Sequence, residues 1–108
     1  MPKDTLGEFE FLVMLAVLRL GDHAYAVPIV DDIVERTGRT PSRASVYVTL
    51  QRLEDAGLVE SRRSEPLPER GGKSRKYVRL LPEGERLVRV TRSSLERMWD
   101  GIEIGGSA

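Results

Sequence analysis

Between Tyr47 and Glu60 the chain reads Tyr-Val-Thr-Leu-Gln-Arg-Leu-Glu-Asp-Ala-Gly-Leu-Val-Glu. This is a short amphipathic helix that stops at Gly57 and runs directly into a β-compatible segment. Further on a basic strand returns, Lys73-Ser74-Arg75-Lys76-Tyr77-Val78-Arg79-Leu80. A helix joined to a hairpin with almost no linker can be built in few ways. The rest of the chain has to supply a core that holds the two side by side.

The apolar periodicity around this unit predicts three further elements. Thr5-Leu6-Gly7-Glu8 has the spacing of a capping box, with Thr5 as N-cap and Glu8 reaching back. A first helix over 6–20 follows, with Phe9, Leu12, Val13, Ala16 and Leu20 as its stripe and Leu15 and Leu18 widening it. Gly21 stops it. Pro28 is tolerated only in a first turn, so the second helix starts near Ala26. Val27, Val30, Ile33 and Val34 form its buried face, and Gly38 ends it. Arg39-Thr40-Pro41 is a turn. Ser42 is the expected N-cap of the third helix, which runs to about Ala56 and buries Val46, Leu50 and Leu53.

Residues 58–62 and 75–81 read as strands around a loop over 63–74 that contains Pro66, Pro68, Gly71 and Gly72. Along the second strand Lys76, Val78 and Leu80 share one face, and Arg75, Tyr77 and Arg79 the other. Pro82 at the first helical position, with acids beside it, opens a last helix. Its stripe is Leu87, Thr91, Leu95, Met98 and Ile102, flanked by Val88 and Trp99. The order is α-α-α-β-β-α, a mainly α (α+β) fold. Three helices plus a two-stranded ribbon is a winged helix-turn-helix (1–81), followed by a C-terminal dimerisation helix (82–104) and a disordered tail (105–108).

Composition narrows the function. The chain has 108 residues, no cysteine and one histidine, His23. Neither disulfides nor thiol chemistry is available, and a single histidine makes no metal site. No nucleophile–base pair or phosphate loop is present, so an enzyme is not expected, and no cofactor is implied. No apolar run approaches the ~20 residues of a membrane span, and the first residues lack the order of a signal peptide. A cytoplasmic protein is expected.

Formal net charge is zero, but its distribution is uneven. Residues 1–35 carry two basic and seven acidic groups, residues 36–79 eleven and five, and residues 80–108 four and five. The basic third coincides with the helix and hairpin. Phosphate neutralisation supplies most of the free energy of binding to nucleic acid, so this is the distribution a DNA-facing surface needs. A chance fluctuation in a highly charged chain is the plain alternative.

Only the outward, N-terminal side of a helix reaches base edges in the major groove. Ser42, Arg43, Ala44, Ser45 and Val48 are placed there. Arg43 suits guanine O6 and N7, and Ala44 or Val48 a thymine methyl. Gln51 and Arg52 lie further along and suit the backbone. Tyr47 reads equally as a phosphate contact or as a core-edge aromatic. Arg70, Lys73, Arg75 and Lys76 surround the wing tip, where they suit a phosphate or a minor groove. Such charges also keep a bare edge strand from aggregating.

The strings Tyr47-x-x-Leu50-x-Arg52-Leu53-Glu54-x-x-Gly57-Leu58-Val59 and Pro68 through Leu80, with Pro82-x-Gly84 after them, resemble the PadR family of transcriptional regulators. The resemblance extends over about residues 5–100. It implies a homodimeric repressor on a palindromic operator, with Tyr47, Lys73, Arg75 and Lys76 on double-stranded DNA and the last helix pairing two copies. Ala24 stands where the family has glycine, and the C-terminal part is a single helix, the short form.

A helix of about twenty residues is marginal alone in water. Leu87, Leu95, Met98, Trp99 and Ile102 are worth roughly 1.5–3 kcal/mol each when buried. The first helix is apolar on more than one face, so Phe9 and Leu12 join this stripe and Thr91 in the expected interface with a second copy. Trp99 is first a packing anchor, and second a wall for a planar aromatic effector. The alternative function is a winged-helix module that docks on protein without specific DNA binding.

Overall fold

The computed structural model describes residues 5–65 and 74–105. It contains α1 (Glu8–Leu20), a 3-10 turn (Gly21–His23), α2 (Ala26–Thr37), α3 (Arg43–Asp55), β1 (Val59–Arg63), β2 (Lys76–Leu80) and α4 (Pro82–Trp99). The fold is α+β, as the sequence predicts. The expected positions Arg70 and Lys73, and residues 106–108 of the tail, lie outside the described residues.

α1 is capped two residues later than predicted. Leu6 is buried, so the chain must enter the helix after it, and Gly7 takes the cap. The Gly7 N–H donates to Glu10 Oε1 at 2.8 Å. Thr5 and Glu8 are therefore not the capping pair. The face of α1 that carries the core is Val13, Met14, Ala16 and Val17. Phe9, Leu12, Leu15 and Leu20 pack at its margin, and Leu18 is exposed.

α2 ends at Gly38, whose φ of 75° is the left-handed conformation that only glycine enters freely. α3 is capped as expected: Ser42 Oγ accepts from the Ser45 N–H at 3.0 Å. α3 buries Val46, Thr49, Leu50 and Leu53. Leu58 and Val59 then enter the same core. The strands pair antiparallel, with Val59 opposite Leu80, Ser61 opposite Val78 and Arg63 opposite Lys76. The Val78 N–H also donates to Ala24 O at 2.9 Å, tying the ribbon to the entry of α2.

α4 splits into two halves. Gly84, Leu87, Val88 and Thr91 are buried on this chain's own core. Leu95, Met98 and Trp99 are 56%, 76% and 62% exposed, so the second half leaves the core behind. The helix ends at Trp99 instead of reaching 104. Gly101 adopts φ 81° just beyond it, and the Ile102 N–H turns back to Trp99 O. Ile102 and Ile104 follow as exposed, non-helical residues.

The first turn of α4 lies hard against the α3–β1 junction. The Leu81 N–H donates to Leu58 O at 2.9 Å. A Cβ placed on Gly84 would fall 2.1 Å from that same carbonyl oxygen and 3.0 Å from Met14 Cε. The obstacle at 2.1 Å is backbone, which has little room to yield. Gly84→Ala is therefore expected to cost about 2–3 kcal/mol through overpacking. Urea titration reads this directly, and an unchanged midpoint would contradict the packing described.

Candidate nucleic-acid interface

A helix that buries one stripe must show solvent the rest of its circumference. On α3 the solvent side carries Arg43, Ala44, Tyr47, Val48, Gln51 and Arg52, all exposed. Tyr47 is 52% and Val48 50% exposed although both are large and apolar in part. Tyr47 is thus on the open side and is not a core-edge residue. Ser45 is half-buried, and its hydroxyl donates back along the helix to Ser42 O at 2.8 Å. Gln51 is held along the helix by Asp55 at 2.9 Å.

The ribbon stands beside this face. Tyr25, Arg43, Tyr47, Gln51, Arg63, Ser74, Arg75 and Lys76 line a single open groove of about 520 Å³ between α3 and the wing. Four of these carry positive charge, and among the described residues no carboxylate lines the groove. Arg43, Arg52 and Arg63 have no ion pair among the described residues. Their charge is available to an outside anion. By contrast Arg36 is committed to Asp32 at 3.2 Å, Arg39 to Glu8 at 2.6 Å, and Arg79 to Glu60.

Arg63, Tyr25 and Ser74 of the groove were not singled out by the sequence. Arg63 fell into the expected loop, but β1 runs one residue further and brings it onto the α3 side. Tyr25 looked like part of a connection. Its ring meets Tyr77 edge-on with centroids 5.3 Å apart. The Arg75 guanidinium lies over Tyr25 at 4.5 Å, and Arg62 over Tyr77 at 4.9 Å. This stack braces the base of the wing and holds Arg75 at the groove rim. Period-2 extension of the strand could have found Arg63; nothing local marks Tyr25.

Lys76 behaves differently from its neighbours. It forms an ion pair with Glu54 of α3 at 3.3 Å and its side chain is 24% exposed. Of the residues expected at a dimer contact, Leu87 and Thr91 are buried within this chain at 0% and 9% exposure. They line the inside of α4, and Leu95, Met98, Trp99 and Ile102 form the free apolar surface. Phe9 and Leu12 are half-buried against the core and only partly open.

Three helices with an antiparallel ribbon beside the third define a winged helix-turn-helix. Residues 14–90 match the model of the transcriptional regulator PadR-like family. A PadR family transcriptional regulator from Eggerthella lenta DSM 2243 is 30% identical with a TM-score of 0.68, covering 87% of this chain and 81% of that one. A PadR family transcription regulator from Clostridium difficile R20291 shares the fold at 23% identity and a TM-score of 0.72, covering 87% and 96%. No curated protein gives a significant match. The chain belongs to the PadR-like family of transcriptional regulators, and DNA-binding regulation is the activity that membership carries. No helix among the described residues is long and apolar enough to cross a membrane.

The N-cap that orients the reading end of α3 gives a direct check. Ser42→Ala should cost about 1 kcal/mol and speed amide exchange at Ser45. Equal exchange in both proteins would show that the cap does not hold this turn.

Proposed function

We propose that the protein is a transcriptional repressor that binds a palindromic operator as a homodimer. The observation that carries this reading is the groove whose described charged residues are all cations, and which joins the open face of α3 to the wing. α3 enters the major groove with Arg43, Ala44, Tyr47 and Val48 at base edges and nearby phosphates. Arg52, Arg63 and Arg75 meet the sugar–phosphate backbone, the role the sequence also suggests for Arg70 and Lys73. Phosphate contacts set register, and the α3 side chains read sequence.

Dimerisation is supported by the second half of α4. Leu95, Met98, Trp99 and Ile102 are each more than half exposed. A continuous apolar patch of this kind is costly to leave in water. A second copy covers it with identical chemistry across a two-fold axis. Two recognition helices about one DNA turn apart, ~34 Å, would then read the two halves of a palindrome. Trp99 packs in that interface, and a planar aromatic effector that stacks on it would release the DNA by changing how the copies meet. The protein would act in the cytoplasm, where the chromosome is.

The test is retention of a palindromic fragment from the gene's own promoter across a salt series. The logarithm of affinity should fall linearly with that of salt, losing about 0.9 of slope for each phosphate contact removed. Arg43→Ala should lower affinity for the operator by about tenfold or more and relax specificity at one base pair. Tyr47→Ala should also weaken it. Equal affinity for any duplex would leave a non-specific binder, and no duplex bound even at low salt would favour a protein-docking module. Met98→Asp should yield a monomer in sedimentation at micromolar concentration. A wild-type monomer there would remove the dimer. Titration with planar aromatics, read on the single tryptophan, tests the effector.

A further inference from the structure

The basic residues of the groove do not all have the same freedom. Arg43 and Arg63 face it without a carboxylate partner among the described residues, whereas Lys76 is held. Its partner, Glu54, sits in the last turn of α3 and is engaged twice. Glu54 Oε1 takes the Lys76 ammonium of β2 at 3.3 Å. Glu54 Oε2 accepts from the Ser61 hydroxyl of β1 at 3.0 Å. One carboxylate thus joins the recognition helix to both strands of the wing. The side chains of Lys76 and Glu54 are 24% and 33% exposed, so the pair is partly shielded from solvent and salt.

The register sharpens the role of this contact. Lys76 lies directly opposite Arg63 across the ribbon. Like charges in directly opposed positions destabilise a two-stranded pairing. Here they stand at the last paired rung of the ribbon, beyond which the Ser64 N–H donates to Arg75 O at 2.8 Å and the Arg75 N–H to Ser64 Oγ at 2.9 Å. Glu54 neutralises Lys76 and leaves Arg63 as the free cation of the pair. Without Glu54 the two cations would repel, and the ribbon end would lose both its ion pair and its hydroxyl hydrogen bond to α3.

We propose that Glu54 is a positioning residue that sets the width of the groove between recognition helix and wing, and that Lys76 serves DNA binding through Glu54 and not by touching a phosphate. This rests on the DNA-binding reading above. It divides the basic residues into two kinds: Arg43 and Arg63 neutralise phosphates, while Lys76 fixes where Arg63 and Arg75 stand relative to α3. The same wing basics that look alike in sequence then differ in salt dependence, one carrying a slope and the other none.

The experiment compares wild type, Arg63→Ala, Lys76→Met, Glu54→Gln and the Lys76→Met/Glu54→Gln double variant on one operator duplex. Arg63→Ala should lower the salt slope by about 0.9. Lys76→Met should weaken binding about three- to tenfold with the slope unchanged, and the double variant should be no weaker than the worse single one. Glu54→Gln should also weaken binding, although it removes a negative charge. Tighter, more salt-sensitive binding by Glu54→Gln, or a slope loss in Lys76→Met equal to that of Arg63→Ala, would overturn the proposal. A readout without DNA keeps it separable from the functional reading. Spin labels at Gln51 and Arg62 should give a narrow distance distribution in wild type that broadens in Glu54→Gln. An unchanged distribution overturns the positioning role even if DNA binding stands. Failure of the wild type to bind any duplex, with the distribution still broadened, would overturn the functional reading and with it the assignment of Lys76 to DNA.

Discussion

α3 can bury only one stripe, and that limit organises the molecule. Val46, Thr49, Leu50 and Leu53 take the inward side. Among the described residues none buries Arg43, Ala44, Tyr47, Val48, Gln51 or Arg52 on the other side. Arg43, Tyr47 and Val48 are therefore held in solvent by the same packing that holds the helix rigid. A reading surface of this type requires both conditions together, since a side chain that contacts DNA must be free while its backbone is not. The Leu58 carbonyl, which accepts from Leu81 and leaves no room for a side chain on Gly84, fixes where the strands and α4 depart from α3.

Charge is arranged on the same frame. The chain as a whole is neutral, yet the described charged residues that line the groove between α3 and the ribbon are all cations. Acids elsewhere are spent on local pairs such as Arg19–Asp32, Arg39–Glu8 and Glu83–Arg86. The hydrogen bond from Arg86 to Glu83 lowers that carboxyl below its ordinary range, at the dipole-favoured start of α4. Such exposed pairs add little stability each. Their larger consequence is that Arg43, Arg52 and Arg63, in and beside the groove, are left without an ion pair among the described residues.

Much of this was legible in the sequence because it rests on local rules. Ser42 as cap, Gly38 and Gly57 as left-handed stops, and Pro82 at the first position of α4 each follow from one residue's own chemistry. The winged topology follows from their order. The missed features depend on neighbours distant in sequence. Thr5 and Gly7 both have a glutamate three residues on, and the burial of Leu6 decides between them. Leu87 and Thr91 sit on the same stripe as Leu95 and Met98, but only the three-dimensional core shows that it reaches the first two and not the others. Gly101 was a readable stop for α4 that the apolar spacing to Ile102 obscured. Lys76 and Arg63 look equivalent until Glu54 is seen to hold one and not the other.

The central claim is that the open face of α3 and the wing form one DNA-reading surface. Amide NMR of the protein titrated with an operator duplex tests it most directly. The account predicts shifts concentrated at Arg43 through Arg52, at Arg63 and at Ser74 through Lys76, with the outer residues of α2 such as Asp31 and Glu35 unmoved. Shifts gathered on α2 or along Leu95 to Trp99, with the groove silent, would contradict it.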